Sequence, residues 1–486
     1  MPNYLKIKKY TLFLFPLILF VFNFISKFFF LTNEEIGLDE PFTIYHAQFD
    51  FGTIIEQLKN YNNPPLYELI LHPWIRVFGI SPLSVRIPPL IFACLSPVVL
   101  YYFGKRFFSI QVAVASSLLL STSSLLFYYS HDCRVYSLFL LLSLLSMYFF
   151  LEILMEEGQT IKSVFLFTFF SCLLIYAHYF GIFILFFQVL HLIIFFKDKW
   201  LRFFLYYLLI FLLYLPHLYP MLTRMGDSVK NGTWLNPPNG IESLYNMLWA
   251  FSNFPFLTVS CIVIFVFSLG KLILQKNLLP FNKNNLFLLI WFLFPFFGMF
   301  FISYWVPMYI SRYLIFALPA YYLLLVVCVH YLIKQVIFRN LALLFLIVSF
   351  GFTINFKDDK KGKVKEAVGF IKSVKDSTTL VIVRPHEVLL PFAYYYNKNY
   401  FSAVDDAREH YSMDSLMRRD NIFVLNLGYE FDLVNINHKF KTVIYFGDGQ
   451  KYNDPETEII KTINTSYKLV EQKNIDKSLA VRVYTD

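Results

Sequence analysis

The sequence predicts an α-helical polytopic membrane protein with a small α/β domain after its last span. Three observations carry that prediction: an apolar composition, a succession of long apolar runs, and an abrupt change to polar sequence near Lys357. Hydrophobic residues make up 57% of the 486 and charged residues 15%, against about a quarter charged in soluble domains. Phe occurs 59 times and Tyr 34 times. A bilayer solvates that much apolar surface, whereas water does not.

The runs long enough to cross number about eleven. They are Thr11–Leu31, Pro82–Phe103, Ile110–Tyr128, Val135–Leu151, Ile161–Ala177, Tyr179–Phe196, Leu201–Leu222, Phe254–Leu274, Leu286–Tyr304, Tyr313–Ile333 and Leu341–Phe356. The first follows Lys6, Lys8 and Lys9. It is too long for the apolar part of a signal peptide and has no small-residue cleavage site after it, so it reads as a retained span.

With the N-terminus cytoplasmic, Lys105 and Arg106, Lys197, Lys199 and Arg202, Lys276 and Lys283, and Lys334 and Arg339 all fall on the inside. That is the basic-inside pattern. One inner loop is acidic (Glu152, Glu156, Glu157), but acidic residues count little in this rule. The net charge of +9 therefore reports membrane orientation, and no nucleic-acid partner is expected. An odd number of spans puts the region after Phe356 outside, in an inner (plasma) membrane. The same topology gathers Asp39, Glu40, Asp132, Arg134, His178, Arg224, Trp234 and Arg312 at that outer face.

Residues 1–356 are thus expected to form the membrane domain, with a long first outer loop over 33–81, and residues 357–486 an extracytoplasmic α/β domain. In the latter, Thr379–Val383, Asn421–Leu427, Thr442–Phe446 and Leu479–Tyr484 read as strands, with helices at Lys363–Ser373 and Val388–Tyr396. Cys94, Cys133, Cys172, Cys261 and Cys328 contain no CxxC pair and read as small apolar residues.

The outer loop opens on Gly37-Leu38-Asp39-Glu40 and later carries Asn62-Asn63-Pro64-Pro65-Leu66-Tyr67, then an amphipathic stretch Leu69–Val77. The stretch suggests a helix lying along the interface. Adjacent carboxylates at a membrane boundary suit a general base, because shielding from water raises their pKa; a solvated acidic turn is the plain alternative. Between the third and fourth spans, Tyr128-Tyr129-Ser130-His131-Asp132-Cys133-Arg134-Val135-Tyr136 holds two ionisable groups close to hydrocarbon. Such groups are costly there and usually functional, although an Asp–Arg pair can also merely orient two helices.

Taken in order, these motifs resemble the GT-C superfamily of membrane glycosyltransferases, in particular the protein O-mannosyltransferase type that also takes in aminoarabinose transferases. The matching residues are Asp39-Glu40, Asn63-Pro64-Pro65-Leu66-Tyr67, Phe78-Gly79 with Val85-Arg86-Ile87-Pro88, and Tyr129 to Tyr136. Further matches are His178-Tyr179-Phe180-Gly181, Trp234-Leu235-Asn236-Pro237-Pro238 and Ser311-Arg312-Tyr313-Leu314.

The resemblance implies a GT-C fold with an outer catalytic cavity and a sugar donor carried on a polyprenyl phosphate. It implies Asp39 as the base toward an acceptor hydroxyl on a glycan, lipid or protein, Glu40 positioning that acceptor, and Asp132 as a second catalytic carboxylate. Arg134, Arg312 and Arg224 are the candidates for the leaving phosphate, with Tyr67 in the substrate site. His178 reads either as a phosphate or carboxylate partner or, the favoured reading, as a cap on a span. Trp234 reads as a sugar platform or a headgroup anchor. Asp39 and Asp132 would suit a shared divalent ion, Mg or Mn, where one is used.

Asn63 stands where relatives often have His or Lys, which weakens any phosphate contact there. Asp132 stands where Glu is commoner. A lipid-linked sugar flippase, a surface-polysaccharide polymerase and a membrane scaffold are the competing readings. The one-sided charge cluster argues against the flippase, whose site belongs near the midplane.

Overall fold

The computed structural model describes residues 2–37, 39–59, 61–155, 160–275, 283–356, 363–384, 388–404, 411–425, 440–448, 455–475 and 479–486. Leu38, Glu156, Glu157, Lys276, Lys357 and the end of the expected second strand, residues 426–427, lie outside them. The chain packs into two compact units. One comprises Met1–Leu31, Ile55–Tyr67 and Arg86–Phe356. The other comprises Thr32–Ile54, Glu68–Val85 and Lys357–Asp486.

The first unit is helical. Among the described residues six helices are long and apolar enough to cross a bilayer: Pro82–Phe107, Tyr136–Met155, Lys197–Asn231, Pro255–Leu274, Asn285–Ile302 and Ile315–Leu332. A bent pair, Ile110–Ser121 and Ser124–Ser130, adds a seventh if it is one span. Shorter apolar helices at Leu14–Phe28, Ile161–Ala177, Gly181–Phe195 and Val336–Phe352 occupy the remaining expected runs. The last begins five residues before the expected Leu341.

Two spans differ from expectation for identifiable reasons. The helix expected to end at Leu222 runs from Trp200 to Asn231, because no residue from Thr223 to Asn231 breaks it. It ends at Gly232, whose φ of +75° is the left-handed conformation that glycine takes at least cost. The third run is not straight: it breaks between Ser121 and Ser124 and turns by 58°. Ser123 caps the second half, its hydroxyl accepting from Leu126 N at 3.3 Å.

Backbone groups freed at such a break need partners where there is no water. Asn253 supplies two, donating to Thr122 O (2.7 Å) and accepting from Ser124 N (2.7 Å). The buried Lys27 donates to Ser121 O at 3.2 Å and to Asn23 Oδ1 at 2.6 Å, and Asn23 donates to the Ser121 hydroxyl at 2.9 Å. The break thereby aims the short helix Ser124–Ser130 at the His131–Arg134 turn.

The second unit contains a five-stranded sheet of strands β1 (Thr379–Val383), β2 (Ile422–Val424), β3 (Thr442–Asp448), β4 (Lys468–Asn474) and β5 (Leu479–Thr485), in the order β2-β1-β3-β5-β4. β1 runs parallel to β2 and β3, whereas β5 is antiparallel to β3 and β4. Every residue of β1 is buried, which accounts for its unbroken apolar run. β4 was not foreseen: it is an edge strand exposed along nearly its whole length, with Lys468, Glu471 and Lys473 guarding the edge. Helices Val364–Val374 and Leu389–Tyr396 match expectation to within a residue or so, and Leu66–Phe78 contains the expected amphipathic stretch. The short helices Glu40–His46, Phe51–Leu58, Lys398–Phe401, Tyr411–Arg419 and Pro455–Ser466 were unforeseen.

Candidate active site

In the helical unit the site begins at the turn after Ser124–Ser130. His131 fastens it: Nδ1 lies 2.6 Å from Phe127 O, and Nε2 lies 2.8 Å from Lys27 O on the first helix. Asp132 follows, buried, and its carbonyl accepts from Arg134 N at 2.7 Å. Cys133 is fully buried, with the Tyr67 hydroxyl 3.9 Å from its sulfur. Tyr67 therefore braces this turn from the Asn63–Tyr67 motif. The helix Tyr136–Met155 begins two residues after Arg134.

Arg312 reaches the same place from the far end of the chain. Its guanidinium carbon lies 5.0 Å from the ring centroid of Trp234, 5.5 Å from Tyr313 and 5.7 Å from Tyr136. Aromatic faces attract a cation and hold the planar group in one orientation. Trp234 is itself 62% exposed. It is brought to Arg312 by the neighbouring Thr233, whose hydroxyl donates to Pro307 O at 2.7 Å.

His178 caps the helix Ile161–Ala177, its backbone N–H closing on Leu174 O. Its ring stacks on Phe139 at 4.7 Å and lies 5.6 Å from Tyr313 and 6.2 Å from Tyr136, two of the rings that flank Arg312. Burial, reinforced by the positive charges of Arg312 and Arg134, holds the imidazole down at about 3, so it is neutral at physiological pH.

The helical unit thus brings together Asp132, Arg134, Arg312, His178, Trp234 and Tyr67. Arg224 is placed otherwise, on the long helix Trp200–Asn231, where its charge acts on Tyr179, whose hydroxyl meets His217 Nε2 at 3.3 Å.

Asp39 and Glu40 belong to the second unit. Asp39 immediately precedes the helix Glu40–His46 and is exposed, its side chain making no capping bond. The shielding expected of this pair falls on Glu40 instead: it is buried, and its Oε2 accepts from Gly37 N at 2.7 Å. That bond closes the turn presenting Asp39. The loop is fastened to the C-terminal region, where the Tyr395 hydroxyl accepts from Ile36 N (2.6 Å), Glu35 Oε2 accepts from Lys365 N (2.8 Å), and Phe401 packs edge-on to Tyr45 (5.7 Å).

Several site residues were not singled out from sequence. Tyr136, Tyr313 and Phe139 wall the cluster; the first two lie inside the Tyr129–Tyr136 and Ser311–Leu314 motifs without having been given a role, and Phe139 carries no mark in so aromatic a chain. Glu68 is a buried carboxylate accepting from the Thr43 hydroxyl at 3.2 Å. Its position in the first turn of Leu66–Phe78, directly after the Asn63–Tyr67 motif, was the available signal. Among the described residues no group of three or more His, Cys, Asp and Glu side chains gathers as a metal ion would need.

Residues 62–222 match the sequence pattern of the dolichyl-phosphate-mannose-protein mannosyltransferase family. That stretch contains the Asp132 turn and His178. The fold agrees: ArnT from Cupriavidus metallidurans superposes with a TM-score of 0.62 over 96% of this chain and 97% of that one, at 13% identity. The chain thus has the GT-C-type fold of ArnT, and about a third of it carries this family's pattern.

The same ArnT bound to undecaprenyl phosphate superposes equally well, again at 0.62 and 13% identity with the same coverage. The oligosaccharyltransferase of Archaeoglobus fulgidus, in complex with zinc and sulfate, matches at 0.52 and 12% identity, over 88% of this chain and 67% of that one. No curated protein sequence matches the chain. At these identities the likeness to solved structures is one of fold.

Proposed function

We propose that the protein is a GT-C glycosyltransferase that moves a hexosyl or pentosyl group from a polyprenyl-phosphate-linked donor to an acceptor hydroxyl, with inversion, at the extracytoplasmic face of the plasma membrane. The observation that carries the reading is the gathering of Arg134 and Arg312 with His178 in one aromatic-walled cluster, chemistry suited to a phosphate. That an ArnT of the same fold is seen with undecaprenyl phosphate supports the choice of lipid carrier.

Asp39 takes the proton of the acceptor hydroxyl. The freed oxygen attacks the anomeric carbon opposite the phosphate, and the carbon–oxygen bond to phosphate breaks as the new bond forms. The electron pair leaves with the polyprenyl phosphate, whose growing charge the guanidinium groups stabilise. Glu40 is a positioning residue in this reading, holding through Gly37 the turn that presents Asp39. Asp132 balances the positive charge of the helical cluster. Trp234 and Tyr67 shape the substrate side, and Arg224 serves as a peripheral cation toward the acceptor or the membrane lipids.

The test is transfer of radiolabelled sugar from native polyprenyl-phosphate sugars to membrane acceptors, comparing the intact protein with Asp39→Asn at equal expression. Label reaching an acceptor in the parent only supports the mechanism and names the acceptor. Equal transfer by the variant removes Asp39 as base.

A further inference from the structure

His178 keeps an unspent hydrogen-bond donor. The backbone N–H of Phe180 donates to its Nδ1 at 3.1 Å, so Nδ1 is an acceptor, and the hydrogen of the neutral ring sits on Nε2. The residue is 3% exposed, and Nε2 finds no hydrogen-bond partner among the described residues. Folded proteins generally pair such buried donors, so one left open next to guanidinium groups asks for an anionic ligand. Phe139, stacked on the ring at 4.7 Å, fixes its plane. Tyr136 and Tyr313 flank the imidazole and Arg312 alike.

We propose that His178 Nε2–H is the neutral third donor of a phosphate-monoester subsite completed by Arg134 and Arg312, and that this subsite favours the departing polyprenyl phosphate over the phosphodiester donor. The inference rests on the transferase reading and deepens it. The diester carries one negative charge. When its bond to the anomeric carbon breaks, the electron pair stays on phosphate oxygen, giving a monoester that is largely dianionic at neutral pH and has one more accepting oxygen.

Two guanidinium groups are placed to meet the oxygen that gains charge, and the Nε2–H supplies a donor that adds no third cation. Interactions that strengthen as the bond breaks lower the barrier rather than only aiding binding. A neutral imidazole with its hydrogen on Nε2 is a poor acid. The phosphate accordingly leaves unprotonated, and the acceptor's proton remains with the Asp39 carboxylate.

The test uses the full-length protein in nanodiscs, titrated with undecaprenyl phosphate, with its methyl phosphodiester and with inorganic phosphate. The parent is expected to bind the monoester lipid about tenfold more tightly than the diester. His178→Gln, which keeps an N–H near the position of Nε2, should stay within about threefold on both lipids. His178→Phe keeps the ring without the donor, and should lose about tenfold on the monoester and much less on the diester.

Equal losses on both lipids, or none, would overturn the assignment. Inorganic phosphate competing as well as the lipid would overturn the lipid source. A second measurement needs no variant: nitrogen-15 labelled histidine should report Nε2 protonated and Nδ1 bare, with the Nε2–H resonance moving when undecaprenyl phosphate is added. A ring protonated on Nδ1, or an unmoved resonance, also sinks the proposal. If the parent binds neither lipid, the transferase's donor class fails with it; a parent that binds and a His178→Phe variant that binds equally remove His178 alone.

Discussion

The helical unit and the α/β unit handle their ionisable residues in opposite ways. In the first, Asp132 and His178 are buried, the His178 ring stacks on Phe139, Arg312 lies against Trp234, Tyr313 and Tyr136, and the supporting turn is tied to the first helix through His131. In the second, Asp39 stands exposed on a loop whose shape is held from behind by Glu40, Tyr395 and Glu35. The cationic cluster is thus packed, with Arg312 held in orientation by its rings. The carboxylate is built as a presented group whose aim depends on its fastenings. Damage to the two regions should therefore read differently: cluster changes alter lipid binding and transfer together, and loop changes alter transfer alone.

The largest separation should come from Arg312→Met. Losing a guanidinium aimed at developing charge should cut the transfer rate about 10²–10³-fold and weaken undecaprenyl phosphate binding as well. Arg312→Lys should recover only part, because an ammonium cannot reproduce the planar fork or its stacking. Full recovery by Lys would mean that the cluster uses charge without orientation.

A smaller effect is expected at Tyr395→Phe, which deletes the acceptor of Ile36 N–H. One net hydrogen bond of about 1 kcal/mol corresponds to roughly a fivefold loss in kcat, and KM for the lipid donor should not change. A raised KM instead would show that the loop also binds the donor. Asn253→Ala tests the frame beneath the cluster. Leaving Thr122 O and Ser124 N without partners should lower stability by about 1–3 kcal/mol, measured as an earlier thermal midpoint in detergent, with kcat falling through misplacement of the Asp132 turn.

The smallest effect is one of pH. An unfolded histidine titrates near 6.5, whereas folded His178 is held at about 3. The unfolded state therefore binds more protons between those values. This contribution to stability is fully present above about pH 6.5 and is lost as pH falls toward 3. The thermal midpoint should drop between pH 7 and 5, and drop less in His178→Gln.

Much of the architecture was legible because hydropathy reports what a bilayer demands, and the strands β1, β2, β3 and β5 showed in their apolar runs. The break at Ser121–Ser124 was not, because hydroxyl residues are tolerated inside apolar helices and Ser123 acts as a cap only once Asn253 and Lys27 satisfy the freed backbone. β4 was hidden by its own charges. At the site, Asp132, Arg134, His178 and Arg312 could be named from sequence because ionisable groups are rare in such a chain. Which of them meet could not. Tyr136 and Tyr313 stand in the matching motifs, but nothing local says that they flank one site, and Phe139 carries no mark among 59 Phe. The bond from Ile36 to Tyr395 spans 359 residues, and no local pattern announces it.

The most direct test of the two-part account measures undecaprenyl phosphate binding and sugar transfer on the same preparations of the parent and of Asp39→Asn. The account predicts binding unchanged within about twofold and transfer reduced by about 10²–10⁴. Binding and transfer lost together, or transfer kept, would contradict the assignment of base and phosphate recognition to separate regions.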